Sequence, residues 1–319
     1  MNAWARCGAL LLGAASLSAQ QLPDREFRPP VPRPAFAIGA GPRLCLDEAH
    51  HNFHTLDDRF WAFGDLARRD GFRVAPSRSV IDATALQGCD LFVISNAQWS
   101  AVPWDQYPTP TPSAFTDAEI RALTSWVTSG GRLLLIADHL PLAGAAKALA
   151  AAFGAQFTDG FAYPAVAPDA PEKTVNERRS APTLFWRDSA SLAAHPIIEG
   201  RDTSERITRV RSFTGQAFQF DAPDARAVLV LPSDYESLEP RIAWQFDAKT
   251  PRRPVGGWFQ GATRRVGAGR VALFGEAAMF SAQVAGPTKR PMGMNAPLAE
   301  ENPQFVLNTL HWLSGVIDP

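Results

Sequence analysis

Residues 116–139 constrain the fold more than any other stretch of the chain. Thr116-Asp-Ala-Glu119 has the spacing of a capping box, in which a hydroxyl and a carboxylate satisfy the free amides at a helix start. Ile120, Leu123, Trp126 and Val127 then recur at helical spacing, and Gly130-Gly131 supplies the backbone freedom that ends a helix. Arg132-Leu-Leu-Leu-Ile-Ala137 follows without any polar alternation. A strand with that pattern must be buried on both faces, which is the habit of a parallel sheet clothed by helices.

Other segments repeat the theme. Arg43-Leu-Cys-Leu-Asp47, Phe72-Arg-Val74 and Leu91-Phe-Val-Ile-Ser95 read as further strands of an α/β sheet. Thr55, with Asp58 three residues on, reads as the N-cap of a helix reaching about Asp70, where Gly71 closes it. A further helix is expected over 143–153. Ala227–Leu231 resumes strand character. Trp258-Phe-Gln260 and Arg270–Phe274 flank Gly267-Ala-Gly269, the signal of a C-terminal hairpin, and 305–313 closes the chain as a helix. Crossovers between the parallel strands should be right-handed.

The two ends of the sequence set its organisation. Arg6 followed by the apolar Cys7–Leu17 and the small residues Ser18-Ala19 reads as a signal peptide over 1–19, which predicts a periplasmic or secreted protein. No later apolar run approaches the roughly 20 residues of a transmembrane segment. Residues 20–42 hold six prolines and form an extended leader, since so many missing amides forbid helix or central strand. Residues 43–319 then form a single domain, with a loop-rich insertion at about 155–226. Beyond the signal peptide stand Cys45 and Cys89, which read as two small buried side chains or as one disulfide in an oxidising compartment. The net charge of -1 supplies no basic field, so nucleic acid is not an expected partner.

Chemistry is expected where parallel strands end, because ligands of open α/β sheets collect outside the carboxyl ends. The first strand delivers Asp47, Glu48, His50, His51, Asn52 and His54. Another delivers Ser95 and Asn96, the next Asp138 and His139, and the last Glu276. A carboxylate directly after a buried strand is costly unless partnered, which singles out Glu276. His139, Asp138 and Glu276 are therefore the candidate catalytic residues. Asp47, His50 and His51 are the candidate ligands of a divalent metal such as zinc, which would polarise a carbonyl or activate water. Asn52, His54, Asn96, Gln260 and Gln283 are candidate ligand-binding residues. The expected ligand is small and polar or carbohydrate-related, and a hydrolase-like enzyme, metal-assisted or not, competes with a non-catalytic binding module. No Gly-x-Ser-x-Gly elbow and no phosphate-cradling Gly-x-x-x-x-Gly-Lys-Ser/Thr loop occurs.

At Asp47-Glu-Ala-His-His-Asn52, Trp126–His139 and Gly269-Arg-Val-Ala-Leu-Phe-Gly-Glu276 the chain resembles the class I glutamine amidotransferase-like superfamily, in particular its secreted bacterial branch of unknown function. The resemblance spans roughly 43–319 and implies a flavodoxin-like three-layer fold. Similar trehalose-utilisation-type members carry a histidine where His139 stands. The glutaminases of that superfamily need a cysteine nucleophile on a strand-to-helix elbow, and neither Cys45 nor Cys89 follows a strand, so glutamine hydrolysis is not expected.

Overall fold

The structure, a computed structural model, describes residues 21–167 and 169–317, so the expected signal peptide lies outside the described residues. Its centre is a nine-stranded sheet. The strands are β1 (Arg43–Asp47), β2 (Arg73–Ser77), β3 (Leu91–Ser95), β4 (Arg132–Ile136), β5 (Ala155–Phe157), β6 (Phe218–Phe220), β7 (Arg226–Val230), β8 (Phe259–Val266) and β9 (Gly269–Phe274). Spatial order is β2-β1-β3-β4-β9-β8-β6-β5, with β7 also pairing β8. The first five strands of that order run parallel, and the rest pair antiparallel.

Helices cover both faces, as continuous apolar strands require. They are α1 (Trp61–Arg69), α2 (Ala83–Gln87), α3 (Asp117–Thr128), α4 (Leu142–Ala152), α5 (Glu172–Ser180), α6 (Pro196–Glu199) and α7 (Asn302–Ser314). Leu44, Leu46, Leu91, Val93, Leu134, Ile136 and Phe274 pack against α1 and α7. The alternate residues Cys45, Phe92, Ile94, Leu133, Leu135 and Leu273 pack against α3 and α4. One strand thus feeds two cores, which is why its sequence shows no polar alternation.

Several local expectations hold. Thr116 and Glu119 form the reciprocal capping box at the start of α3. The β8–β9 hairpin turns through Gly267 and Ala268, with Gly267 at φ +58°. Pro76 is accommodated in β2 because β2 is an edge strand.

Others are corrected. Thr55 does not open a helix: α1 begins at Trp61, and the amide of Asp58 donates to the Thr55 carbonyl at 3.2 Å, closing a turn instead. The Leu56 amide is taken by the Glu48 carboxylate at 2.9 Å, which holds this segment against the end of β1. Segment 155–226 contributes β5 and β6 to the main sheet, besides α5, α6 and a two-stranded ladder of Thr183–Trp186 with Arg209–Ser212. The leader carries one short strand, Gln21–Pro23, paired with Ala282–Ala285. Cys45 and Cys89 are joined as a disulfide with Cα atoms 5.9 Å apart, tying β1 to the turn that precedes β3. Among the described residues no helix is long and apolar enough to cross a membrane.

Candidate functional site

Two polar networks occupy the carboxyl edge of the parallel strands. The first is centred on His50, just past β1. Its Nδ1 lies 2.9 Å from both oxygens of Asp47, and its Nε2 lies 2.9 Å from Oε1 of Glu119 at the start of α3. Asn52 Nδ2 donates to Asp47 Oδ2 at 3.0 Å, and the His50 amide donates back to Asn52 Oδ1 at 3.0 Å. Burial alone would pull the His50 pKa down. The hydrogen bonds and charges of Asp47 and Glu119 outweigh it, and the pKa is raised. Glu119 moves the opposite way: burial would raise it, but the Thr116 amide, His50 and further donors hold it below the usual carboxylate range.

These contacts bear on the expected metal ligands Asp47, His50 and His51. An imidazole with both nitrogens committed to carboxylates has no lone pair for a cation. His51 is exposed, with φ +47°, and its carbonyl accepts from Gln98 Nε2 at 2.5 Å. Among the described residues no group of three His, Cys, Asp or Glu side chains is placed to hold a metal ion. Asp47, His50 and His51 therefore do not fit a zinc site, and no step below runs through one.

The second network follows β4 and β9. Asn96, at φ +47°, turns its Oδ1 to accept the Asp138 amide at 2.9 Å, and so links the end of β3 to the end of β4. Asp138 Oδ1 accepts the His139 amide at 2.8 Å and lies 3.9 Å from His139 Nε2. His139 Nδ1 is 2.8 Å from the Leu140 carbonyl oxygen. A carbonyl only accepts, so Nδ1 carries a hydrogen, and in the neutral ring the lone pair then lies on Nε2 beside Asp138. The ring stacks on Phe161 at 4.4 Å and meets Trp244 at 4.5 Å and Trp104 at 5.9 Å, edge to face.

Glu276 stands two residues past the end of β9 and is buried. Its oxygens accept the amides of Ala278 at 2.7 Å and Met279 at 2.9 Å. Burial, reinforced by the charge of Asp138, nevertheless raises its pKa well above the carboxylate range. Burial likewise pushes Tyr163 up to about 12, with Asp138 adding to the shift, so its phenol stays protonated.

The structure thus gathers Asp47, His50 and Asn52 in one group, and Asp138, His139 and Glu276 in another. Among the described residues no side-chain hydrogen bond joins the two groups directly. Asn96 and the loop carrying Gln98 and Trp104 bridge them: Gln98 donates to the His50 carbonyl through its amide, and Trp104 Nε1 donates to Gln98 Oε1. His54 is buried, bonded to Ser95 Oγ at 2.8 Å and stacked on Phe60, and burial lowers its pKa well below the usual histidine value. Gln260 serves as a tie, accepting from Ser212 Oγ and donating to the Thr214 carbonyl. Gln283 lies in a separate three-stranded sheet and donates to Ser281 Oγ. Glu119, Phe161, Tyr163 and Trp244 went unanticipated by the sequence. The only signal for Glu119 was its capping box; the three aromatic residues sit in segments without clear periodicity.

Fold and edge together define an α/β protein with a polar carboxyl edge backed by aromatic side chains. No protein-family model matches the chain, and no curated protein sequence does. Among solved structures, the mmIFT52 N-terminal domain shares the fold, with a TM-score of 0.55 at 16% identity, over 85% of this chain and 97% of that one. Glutamine amidotransferase-like proteins are also among the similar structures. A protein named as ThuA-like from Bacteroides uniformis has a TM-score of 0.46 at 12% identity, covering 89% of this chain and 93% of its own. A protein from Thermoplasma acidophilum, named for GMP synthase, has 0.42 at 10%, covering 86% and 96%.

Proposed function

We propose that this protein is an exported, hydrolase-like enzyme acting on a small polar or carbohydrate-related substrate, with Asp138, His139 and Glu276 as its reacting groups. The observation that carries the reading is the placement of His139: its Nδ1 donates to the Leu140 carbonyl, so the neutral ring presents Nε2 as the base beside Asp138. Glu276 complements it as a carboxyl that keeps its proton, and it follows β9, the strand that pairs with β4 beside His139. In hydrolysis His139 takes a proton from water as the water oxygen bonds to the substrate carbon, and Glu276 gives its proton to the leaving oxygen as the bond from that carbon to it breaks.

Three further observations support this reading. The parallel order β2-β1-β3-β4-β9 supports a flavodoxin-like reading, and ligands of such open sheets bind at the carboxyl edge. Of the six non-glycine residues with positive φ among the described residues, His51, Asn96 and Trp244 stand at this edge, and backbone strain of that kind gathers at functional sites. The Cys45–Cys89 disulfide suits an oxidising compartment, and so supports export.

A panel of glycosides and carboxylic esters tests the proposal. Saturable turnover of one class is expected. Saturable binding of a panel member with no turnover at any pH would replace the enzyme by a ligand-binding module.

A further inference from the structure

A concavity with a mixed polar and apolar lining lies against the antiparallel half of the sheet. It measures about 710 Å³, and its lining includes His195, Asp224, Arg226, Thr263, Arg264 and Trp312. That volume is within the range of sites for small organic ligands, roughly 300–1,000 Å³.

Following the protons across its floor shows what the cavity offers. His195 Nδ1 accepts the amide of Ile197 at 3.1 Å, so that nitrogen carries no hydrogen. Burial, and after it the charge of Arg226, lower the His195 pKa to about 4, so the ring is neutral near pH 7. Its single proton must then sit on Nε2, which donates to Thr263 Oγ1 at 2.8 Å. The Thr263 oxygen is used as an acceptor, and its own hydroxyl hydrogen remains to be given. Among the described residues no acceptor takes it, although Thr263 is 1% exposed. A buried donor without an acceptor is costly unless a ligand or water completes it.

The charges at the rim choose the kind of acceptor. Arg264 is matched by Asp224, its Nε lying 2.9 and 3.1 Å from the two carboxylate oxygens. Arg226 is exposed and makes no ion pair among the described residues, so it is the cation in surplus. It is also the direct cross-strand partner of Thr263 in the β7–β8 ladder. Directly opposed residues share one face with Cβ atoms roughly 4.5–5.5 Å apart. The residues that carry a guanidinium fork and a spare hydroxyl hydrogen are therefore neighbours across the ladder, and both line the same partly apolar concavity.

We propose that this cavity binds a small organic anion, its carboxylate or phosphate oxygens held between the Arg226 guanidinium and the Thr263 hydroxyl and its body lying against Trp312. Arg supplies planar, paired donors to such oxyanions, and Thr263 fixes the position of one oxygen. The site is separate from the Asp138 edge and does not depend on the activity proposed there.

Isothermal titration of the full chain with benzoate, phenyl phosphate and the neutral isostere benzamide tests this. Saturable binding of at least one of the two anions is expected, with benzamide weaker by at least about tenfold. Comparing benzoate with phenyl phosphate distinguishes the carboxylate from the phosphate. Arg226→Gln and Arg226→Glu alter an exposed side chain, so both should keep the wild-type circular dichroism spectrum and weaken the anion by at least about tenfold. Thr263→Ser should retain binding. Equal binding of benzamide and the anions, no saturable binding of either anion, or unchanged affinity in both Arg226 variants would overturn the proposal.

Discussion

His50 spans two buried carboxylates, with Nδ1 2.9 Å from Asp47 and Nε2 2.9 Å from Glu119. The ring thereby pins the loop after β1 to the first turn of α3. Removing it leaves two buried acids without their cation, which is the expensive way to break such a network. His50→Ala is expected to destabilise the fold by about 3–5 kcal/mol in chemical denaturation. The sign of the pH dependence follows from the shifts. The His50 pKa is raised from its ordinary 6.5, so its contribution is complete below that value and is lost as pH climbs through the folded pKa. The Glu119 pKa is lowered from 4.5, so its contribution is present above that value and is lost as pH falls through the folded pKa. The stability gap between wild type and His50→Ala should therefore be widest between about pH 4.5 and 6.5 and should narrow above it; a gap that widens steadily towards pH 9 would contradict the charged bridge.

Glu276 depends on pH in the opposite sense to Glu119. Its raised pKa means the folded protein keeps a proton that the unfolded chain has lost, so this group favours folding less as pH rises above about 4.5. If it also acts as the acid, turnover should fall on the alkaline side as the proton leaves. A pH–rate profile of wild type against Glu276→Gln reads this directly. The alkaline limb should be present in wild type and absent from whatever activity the variant retains, whereas an identical limb in both would assign it elsewhere.

The disulfide closes a sequence separation of 44 residues between β1 and the turn before β3. Constraining an unfolded loop of that length stabilises a fold by about 4 kcal/mol in the chain-entropy picture, and measured values run lower. Reduction of the pair should lower the denaturation midpoint by an amount corresponding to about 2–4 kcal/mol. An unchanged midpoint after full reduction, verified by thiol titration, would remove it from the stabilising contacts.

The strands were legible because their signal is local. Arg132–Ile136 and Leu91–Ser95 carry unbroken apolar runs, and burial on two faces permits little else. The capping box of α3 was legible for the same reason: both partners lie within three residues. Its second task was not, because Glu119 reaches a histidine 69 positions away. The same limit hid the aromatic surround of His139, whose Phe161 and Trp244 come from segments brought together only by the tertiary fold. Asp138 and Glu276 were placed correctly at strand ends, yet residue type alone could not tell which polar groups were already spent. His50, His54 and Gln260 look like ligands in sequence and are internally satisfied in three dimensions. Satisfaction of hydrogen bonds is a property of neighbours, and a linear pattern does not record it.

The central claim is that His139 Nε2 is the base of the site, and one comparison tests it most directly: kcat of wild type, His139→Ala and Leu135→Ala on the substrate identified by the glycoside and ester panel, alongside their denaturation curves. Leu135 is fully buried in β4, four residues before His139, and its truncation should cost about 2–5 kcal/mol while leaving the kcat of the folded fraction close to wild type. His139→Ala should do the reverse, staying folded with a loss of about 1 kcal/mol from its ring contacts and lowering kcat by about 10²–10⁴-fold. A folded His139→Ala protein that turns over at the wild-type rate would contradict the account.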